Sequence, residues 1–278
     1  MKLVAIDLDG TLLNSQHKLS KENVKAVRAT EKAGAKIVIA TGRSVVSAKE
    51  IVSQLGISAY ILALNGTYII EVDRYGEQKE LRRSILDKEK LARAFQVTQK
   101  LGVTFIASNE HQSDRVVVDD GTELVQEFFI ERPDLQRLSI QDMTEKLMDT
   151  STTYLKAAFT NRNREKLHEL KKALAEIGID TIFSDTYYIE YMSDGINKGW
   201  ALEYLANHLG ISLQETIAIG DQENDIEMLL KSGLGIAMGN AAPHVKDVAN
   251  HVTLTNDQNG VAEILRNLQI STDFSETP

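Results

Sequence analysis

The sequence of 278 residues contains no cysteine, only 3 prolines, and fewer basic than acidic side chains (31 against 40). Without cysteine the chain has no disulfide, no thiolate zinc site and no cysteine nucleophile. The net charge of −9 argues against binding to nucleic acid or to an anionic membrane, because both select for an excess of lysine and arginine. No apolar run approaches the length of a membrane-spanning helix, and Asp7 interrupts the apolar N-terminus. We therefore expect a cytoplasmic protein, whose ligand can still be a small anion in a locally positive pocket.

The composition is that of a globular protein. With 42% hydrophobic and 26% charged residues, the chain does not belong to the collagen-like, low-complexity or broadly disordered classes. Its length is large for one simple domain and small for three. The sequence therefore predicts two domains, or one domain that carries a large insertion.

Apolar strands alternate with helices at both ends of the chain. Near the N-terminus, strands are predicted at 3–8, 36–40 and 59–64, with helices at 20–33 and 44–55. After residue 197 the alternation returns, with strands at 216–219, 234–237 and 251–254 and helices at 197–209, 225–231, 243–249 and 261–268. Apolar strands separated by helices are typical of a parallel sheet that is covered on both faces.

The middle of the chain has a different pattern. A tight turn at Asn65-Gly66 and a hairpin over 67–83 lead into half-exposed strands, which are typical of antiparallel sheets. Strands are predicted at 103–107, 115–118, 154–159, 181–183 and 187–191, and helices at 88–101, 124–131 and 164–177. The predicted fold is α/β: a doubly wound, mostly parallel, Rossmann-like core of residues 1–82 and 192–278, interrupted by an α+β cap domain at 83–191.

Two carboxylates lie at the carboxyl end of the first predicted strand, in the segment DLDGT at 7–11. Alternate strand residues face the same side, so Asp7 and Asp9 should project together with Cα atoms ~6–7 Å apart. The carboxyl end of a parallel strand is also where open α/β sheets bind ligands. A simple turn is the competing interpretation. A calcium loop is excluded, because Leu12 and Lys18 occupy the positions where that loop requires glycine and glutamate.

A second acidic loop, GDQEND at 220–225, follows a buried strand and opens a helix. Two acidic loops at strand ends of one sheet can converge on a single cation, and loops that offer only oxygen ligands favour Mg²⁺. The alternative is a helix N-terminus that carries favourable acids. That alternative accounts well for Glu223 and Asp225 but less well for Asp221, which lies at the strand end.

Two further segments offer groups that suit a phosphate. The segment ATGRS at 40–44 supplies a hydroxyl, a glycine N–H and a helix N-terminus, although Thr41 or Ser44 can equally be a helix cap.

Lys198 lies where the chain returns to the core, and a lone lysine is usually a solvated surface charge. A pocket between the acidic loops, however, would repel a phosphate by roughly 4 kcal/mol per close charge pair at an effective dielectric of about 20. A divalent cation and one buried lysine would offset this repulsion.

Taken in order, the segments DLDGT, ATGR, NKG (197–199) and GDQEND resemble the four motifs of the haloacid dehalogenase-like hydrolase superfamily. The insertion between the second and third motifs, and the stretch at 233–262, make the sequence most similar to the Cof-type sugar phosphatases. The similarity covers both segments of the core and is only architectural in the cap. It implies a Mg²⁺-dependent phosphatase that hydrolyses small phosphorylated metabolites, such as sugar phosphates, through an aspartyl-phosphate.

The resemblance also implies a role for each matching residue. Asp7 would be the nucleophile, Asp9 the general acid and base, and Asp225 a support for the residues that touch the ligands. The metal would be bound by Asp7, Asp221 and the backbone carbonyl of Asp9. Groups that bind the phosphate would come from Leu8, Thr41, Gly42, Arg43, Lys198 and Asn224.

Two other functions stay open at this point. A phosphosugar mutase would use the same nucleophile with a sugar hydroxyl as the acceptor in place of water. A regulator that binds a phosphate ester without turnover is a third possibility, although the nucleophile and the metal-binding acid are both present. The sequence has neither an HExxH zinc motif nor a GxGxxG dinucleotide fingerprint. It reveals neither the physiological substrate nor the oligomeric state.

Overall fold

The computed structural model describes residues 2–118 and 135–273, with the side chains of Asp185 and of 269–273 left out. The chain divides into two compact units: residues 1–43, 47–82 and 197–278 form the first, and residues 44–46 and 83–196 the second. The second unit contains all residues of the predicted cap at 83–191 and, in addition, residues 44–46 and 192–196. The helix predicted at 124–131 lies outside the described residues.

The strands in chain order are β1 (Leu3–Ile6), β2 (Lys36–Ala40), β3 (Ala59–Ala63), β4 (Tyr68–Val72), β5 (Gln78–Arg83), β6 (Thr104–Ser108), β7 (Ser113–Val116), β8 (Leu135–Arg137), β9 (Lys156–Thr160), β10 (Ile182–Asp185), β11 (Tyr188–Tyr191), β12 (Thr216–Gly220), β13 (Leu234–Ala237) and β14 (His251–Val252). The α-helices are α1 (Lys21–Lys32), α2 (Val45–Leu55), α3 (Lys88–Leu101), α4 (Ile140–Met148), α5 (Arg164–Glu176), α6 (Lys198–His208), α7 (Ile226–Lys231), α8 (Pro243–Lys246) and α9 (Gly260–Asp273). Within residues 2–118 and 135–273, none of the helices has the length and apolar character needed to cross a membrane.

The first unit is built on an eight-stranded sheet with the order β14-β13-β12-β1-β2-β3-β4-β5. Strands β1 to β3 and β12 to β14 run parallel, and β4 pairs antiparallel with β3. The central strand β1 is buried on both faces: Leu3 and Ala5 pack in one cluster with α6 and α7, and Val4 and Ile6 are also inaccessible. This arrangement confirms the predicted doubly wound α/β sheet.

The second unit contains a six-stranded sheet with the order β10-β11-β9-β6-β7-β8. All of its pairs are antiparallel except β7 with β8. Phe105 and Phe159 on the sheet pack in one hydrophobic cluster with Phe95, Met143 and Leu170 on α3, α4 and α5. The α+β architecture is the predicted one.

Sequence patterns did not predict α4 and β8. In α4 only two of nine residues are buried, Met143 and Leu147, so the apolar pattern is too sparse to indicate a helix. Its start depends on a capping box, in which Ser139 accepts a hydrogen bond from the Asp142 amide and Asp142 accepts one from Ser139. Strand β8 has three residues and none is buried. Both elements therefore depend on local or tertiary contacts rather than on periodicity.

Helices α6 and α7 pack closely because residue 199 is a glycine. A Cβ atom at Gly199 would lie 2.5 Å from the carbonyl carbon of Glu227 in α7. The first turn of α6, which contains Lys198, can therefore approach the loop that precedes α7. A side chain at position 199 would force the two helices apart.

We expect Gly199→Ala to destabilise the protein by about 1–3 kcal/mol, the usual cost of an added methyl group in a packed site. Urea unfolding measures the change. Gly210→Ala is the matched control: its φ of 65° is left-handed, but a Cβ there meets no atom within 4 Å, so only backbone strain of about 1 kcal/mol is expected. A smaller loss for Gly199→Ala than for the control would contradict the close packing of α6 on α7.

Candidate active site

Neighbouring parallel strands end together at one edge of the first-unit sheet. In the register of β1, Ile6 is paired with residues of both β2 and β12. The residues that follow these strands, Asp7, Thr41 and Asp221, therefore come to the same edge. This edge is formed by the carboxyl ends of the strands, where open α/β sheets bind ligands.

Lys198 joins the helix α6 to both acidic loops. The Asn197 side chain caps this helix by accepting a hydrogen bond from the Trp200 amide at 2.8 Å. Lys198 Nζ donates to Asp7 Oδ1 at 2.6 Å and to Asp225 Oδ1 at 2.7 Å. Burial lowers the pKa of Lys198, but the charges of Asp225 and Asp7 outweigh it and raise the pKa above the usual value. The ammonium is therefore charged, although only 1% of the residue is exposed.

Three buried carboxylates form a cluster beside this ammonium. One oxygen each of Asp7, Asp221 and Asp225 lies within 4.8 Å of the other two. Burial raises the pKa of Asp7 well above its usual value, and although Lys198 lowers it, the neighbouring carboxylates raise it further. Burial and the charge of Asp225 raise the pKa of Asp221 to about 7. One ammonium does not neutralise three ionised carboxylates, so the cluster favours a bound proton or a bound cation.

The loop over 220–225 is held in shape by its last residue. Asp225 Oδ2 accepts hydrogen bonds from the amides of Asp221 and Gln222, both at 3.0 Å. A Cβ at Gly220 would lie 2.5 Å from the Cβ and Cγ of Asp225, so a larger residue does not fit. Because its other oxygen accepts from Lys198, Asp225 orients the cluster through hydrogen bonds on both oxygens.

The turn after β1 fixes Asp221. Thr11 Oγ1 donates to Asp221 Oδ1 at 2.7 Å. Gly10 has a φ of 77°, and a Cβ there would lie 2.2 Å from Asp221 Oδ2. Asn240 Nδ2 donates to the carbonyl of Gly10 at 2.9 Å and to Asp221 Oδ2 at 3.4 Å. Glycine at position 10 is therefore required both by the turn and by the proximity of the carboxylate.

Asp9 lies apart from the cluster and contacts two basic side chains. Arg43 Nε donates to Asp9 Oδ2 at 2.7 Å, Arg43 Nη2 donates to Oδ1, and His17 Nδ1 lies 3.2 Å from Oδ1. Partial burial opposes ionisation, but the hydrogen bonds from His17 and Arg43 lower the pKa of Asp9 below its usual value. The first strand is shorter than predicted: β1 ends at Ile6, Asp7 follows it, and Asp9 forms an isolated bridge with Leu13.

The residues predicted to bind phosphate are placed in different ways. The side chain of Leu8 is fully buried, and its carbonyl accepts from the amides of Thr11 and Leu13, so only its amide N–H could contact a phosphate. Thr41 is buried, and its Oγ1 accepts from the amide of Arg43 at 3.1 Å, across Gly42. The Arg43 side chain donates its hydrogen bonds to Asp9, so it does not face a phosphate in this arrangement.

Four residues at the site had no role in the sequence analysis. Thr11 belongs to the first motif, His17 is one of six histidines without a motif, and Asn65 was interpreted as part of a turn. Asn65 Oδ1 accepts from Asn224 Nδ2 at 3.1 Å. A signal existed for Asn65 and for Asn240, because each follows the carboxyl end of a parallel strand, the same rule that located the aspartates.

The donor set of the cluster fits a hard divalent cation. Asp7 and Asp221 supply carboxylate oxygens, and burial together with the neighbouring carboxylates raises the pKa of both, so that a bound cation would favour their ionised forms. A site of buried oxygen ligands suits a small hard cation better than a soft metal. With Lys198 beside it, such a cation could hold an anionic group close to a carboxylate.

Known proteins resemble this chain over nearly its whole length. The sequence model of the haloacid dehalogenase-like hydrolases matches residues 4–265. The chain is 32% identical over 270 residues to 5-amino-6-(5-phospho-D-ribitylamino)uracil phosphatase of Bacillus subtilis, with 96% of this chain and 95% of the relative covered. It is 30% identical over 292 residues to HMP-PP phosphatase of Yersinia pestis, with 100% and 98% covered. A solved haloacid dehalogenase-like hydrolase from B. subtilis matches with a TM-score of 0.83 at 30% identity, covering 96% of this chain and 100% of that chain.

The raised pKa of Asp221 predicts that the metal-free protein loses stability as pH rises. The group has a pKa of about 7 when folded, against an ordinary value of 3.8. Its contribution is therefore fully present below the ordinary pKa and is lost as pH rises through about 7. One such group changes stability by at most about 1.4 kcal/mol per pH unit, or roughly 3 °C in Tm. We expect the Tm of EDTA-treated protein to fall between about pH 5 and about pH 7, where the folded state holds a proton that the unfolded state has lost, and to level off above about pH 7.

Asp221→Asn removes the titrating carboxylate, so it should flatten this fall and give an equal or higher Tm at about pH 8. Asp149→Asn serves as the control, because hydrogen bonds from Ser151 lower the pKa of Asp149 to about 2, far below the range tested. The same fall in Asp221→Asn as in the wild type would show that Asp221 is not an uncompensated buried carboxylate.

Proposed function

Because the chain belongs to the haloacid dehalogenase-like hydrolases of the Cof type, a group of phosphatases, we propose that it is a Mg²⁺-dependent hydrolase of small phosphorylated metabolites. The relatives named above support this substrate class, since their names describe phosphatases of small phosphorylated compounds. Sugar phosphates are the substrates that the sequence resemblance favours. The reaction would proceed through an aspartyl-phosphate on Asp7, in the cytoplasm.

The contact between Lys198 and Asp7 carries the proposal. A carboxylate nucleophile must approach an anionic phosphate, and such a pair repels by roughly 4 kcal/mol at close range when the effective dielectric is about 20. The ammonium lies 2.6 Å from Asp7 Oδ1 and is fixed from its other side by Asp225. Lys198 thus holds Asp7 in one orientation and places a positive charge where the charge of the transferring phosphoryl group develops.

Asp7 and Asp221, with the backbone carbonyl of Asp9, are the groups that would hold the Mg²⁺ ion. When bound, the ion neutralises charge on the phosphate and the nucleophile and orients the two for in-line attack. Asp225 is held by hydrogen bonds from Lys198 and from the Asp221 amide, and Thr11 donates to Asp221. The backbone amides of Leu8 and Gly42 and the side chains of Thr41 and Asn224 would hold the phosphate oxygens.

Two displacements at phosphorus complete the reaction. An oxygen of Asp7 bonds to phosphorus as the bond to the ester oxygen breaks, and Asp9 gives a proton to the departing oxygen. Water then attacks the phosphorus of the aspartyl-phosphate and gives a proton to Asp9, while the bond between phosphorus and the Asp7 oxygen breaks, which releases inorganic phosphate and restores the Asp7 carboxylate. Asp9 can carry that proton only after its ion pair with Arg43 opens. We infer that Arg43 exchanges Asp9 for the phosphate of the substrate.

The second unit is proposed to select the leaving group. Its polar and charged side chains are numerous, and no motif assigns one of them to a ligand. The family resemblance supports the assignment of specificity to this unit as a whole. A panel of phosphorylated metabolites, assayed for phosphate release with and without Mg²⁺, would identify the substrate.

Asp7→Asn should abolish phosphate release from p-nitrophenyl phosphate in Mg²⁺, by ~10³-fold or more, because the amide is not a nucleophile. Far-UV circular dichroism should show an intact fold. Asp247→Asn, an exposed aspartate of the first unit, is the matched control and should keep wild-type turnover. Activity retained in Asp7→Asn would rule out Asp7 as the nucleophile.

The acceptor of the phosphoryl group distinguishes a phosphatase from a mutase with the same nucleophile. We expect one equivalent of inorganic phosphate for each ester consumed, because water is the proposed acceptor. Movement of phosphate to another hydroxyl of a sugar, without release of inorganic phosphate, would indicate the mutase. Tight binding of an ester without turnover would indicate a regulator.

A further inference from the structure

Three successive residues after β3 have left-handed backbone conformations. Leu64, Asn65 and Gly66 have φ values of 52°, 59° and 91°, and all three are buried. Glycine adopts this conformation readily and asparagine tolerates it, but for leucine it is an outlier. Such strain persists only where surrounding contacts impose it, and it concentrates at functional sites.

The backbone of this turn holds the loop that is proposed to bind phosphate. The Leu64 amide donates to the carbonyl of Arg43 at 3.0 Å, and the Asn65 amide donates to the carbonyl of Thr41 at 2.9 Å. The carbonyls on either side of Gly42 are thereby fixed. Because C=O and N–H point in opposite directions in a trans peptide, the bond to the Thr41 carbonyl directs the Gly42 N–H away from the turn.

The same turn contacts the other two segments that are proposed to face the phosphate. Asn65 Oδ1 accepts from Asn224 Nδ2 at 3.1 Å. A Cβ at Gly66 would lie 2.9 Å from the carbonyl oxygen of Asn197, the cap of α6. One strained turn therefore touches the Thr41–Arg43 loop, the 220–225 loop and the start of the helix that carries Lys198.

We propose that Asn65 is a positioning residue for phosphoryl transfer, acting through Asn224 and the Thr41–Arg43 loop. This inference rests on the proposed function, which assigns the phosphate to those groups. Asparagine combines tolerance of the left-handed conformation with a side-chain acceptor for Asn224. Glycine at this position would keep the turn and lose the acceptor, and alanine would lose both.

Asn65→Gly isolates the contribution of the side chain. Without its acceptor, Asn224 is no longer held, so the KM for p-nitrophenyl phosphate and the Kd of inorganic phosphate in Mg²⁺ should both rise about 3- to 10-fold. The kcat should stay within about twofold, because this contact orients the phosphate equally in the ground and transition states. Asn65→Ala also strains the turn, and we expect it to lower kcat as well.

A double-mutant cycle tests whether Asn65 acts through Asn224. If it does, Asn65→Gly combined with Asn224→Ala should bind phosphate no more weakly than Asn224→Ala alone. Asn259→Ala is the control for strain, because Asn259 has a φ of 62° and lies outside the turn. This control should lower Tm while KM and kcat keep their wild-type values.

A KM and a phosphate affinity of Asn65→Gly that equal the wild-type values would overturn the inference. A double variant in which the losses of phosphate affinity of Asn65→Gly and Asn224→Ala multiply would also overturn it. The same measurements on the wild-type protein test the proposed function independently of the role of Asn65. A wild-type protein that binds phosphate but cleaves no ester would refute the hydrolase, while the binding comparison would still decide the role of Asn65. A wild-type protein that neither binds phosphate nor cleaves an ester would overturn both.

Discussion

The buried ammonium of Lys198, placed between Asp7 and Asp225, is the interaction on which the site depends. Removing one partner from a buried ion pair leaves an uncompensated charge, which is far less favourable than the pair itself. Two features of the fold allow the contact. The first turn of α6 reaches the sheet edge because Gly199 lies against α7, and the parallel register of β1 and β12 brings Asp7 level with the second acidic loop.

Other parts of the site are unfavourable when considered alone. Three carboxylates share one buried volume, and two successive residues other than glycine adopt left-handed conformations. A fold can retain such features when the rest of the structure imposes them. Here the parallel strands on both sides of β1, which are buried except for Lys36, provide that constraint. The site is therefore organised before a ligand arrives, and electrostatic stabilisation requires such an arrangement.

Sequence patterns predicted the core sheet well, because buried parallel strands are continuous apolar runs and their helices carry clear stops. They also located Asp7, Asp221 and Lys198, since each lies where a strand or helix meets the sheet edge. They did not predict the partner of Asp9, because the pairing with Arg43 and His17 depends on a turn geometry that strand alternation does not describe. Asn65 was missed because its local sequence was interpreted as a turn, although it also follows the carboxyl end of β3. Contacts between residues distant in sequence remained outside what periodicity can reveal.

The order of strands in the first unit has a consequence for synthesis on the ribosome. Strand β1 lies between β2 and β12, and its Leu3 is paired with Thr216. One edge of β1 therefore stays unpaired until more than two hundred further residues have left the exit tunnel. The second unit has its own hydrophobic cluster and emerges completely before that strand arrives. Nascent chains that stop within it lack Lys198 and Asp221, so truncated translation products carry an unpaired sheet edge and an incomplete centre.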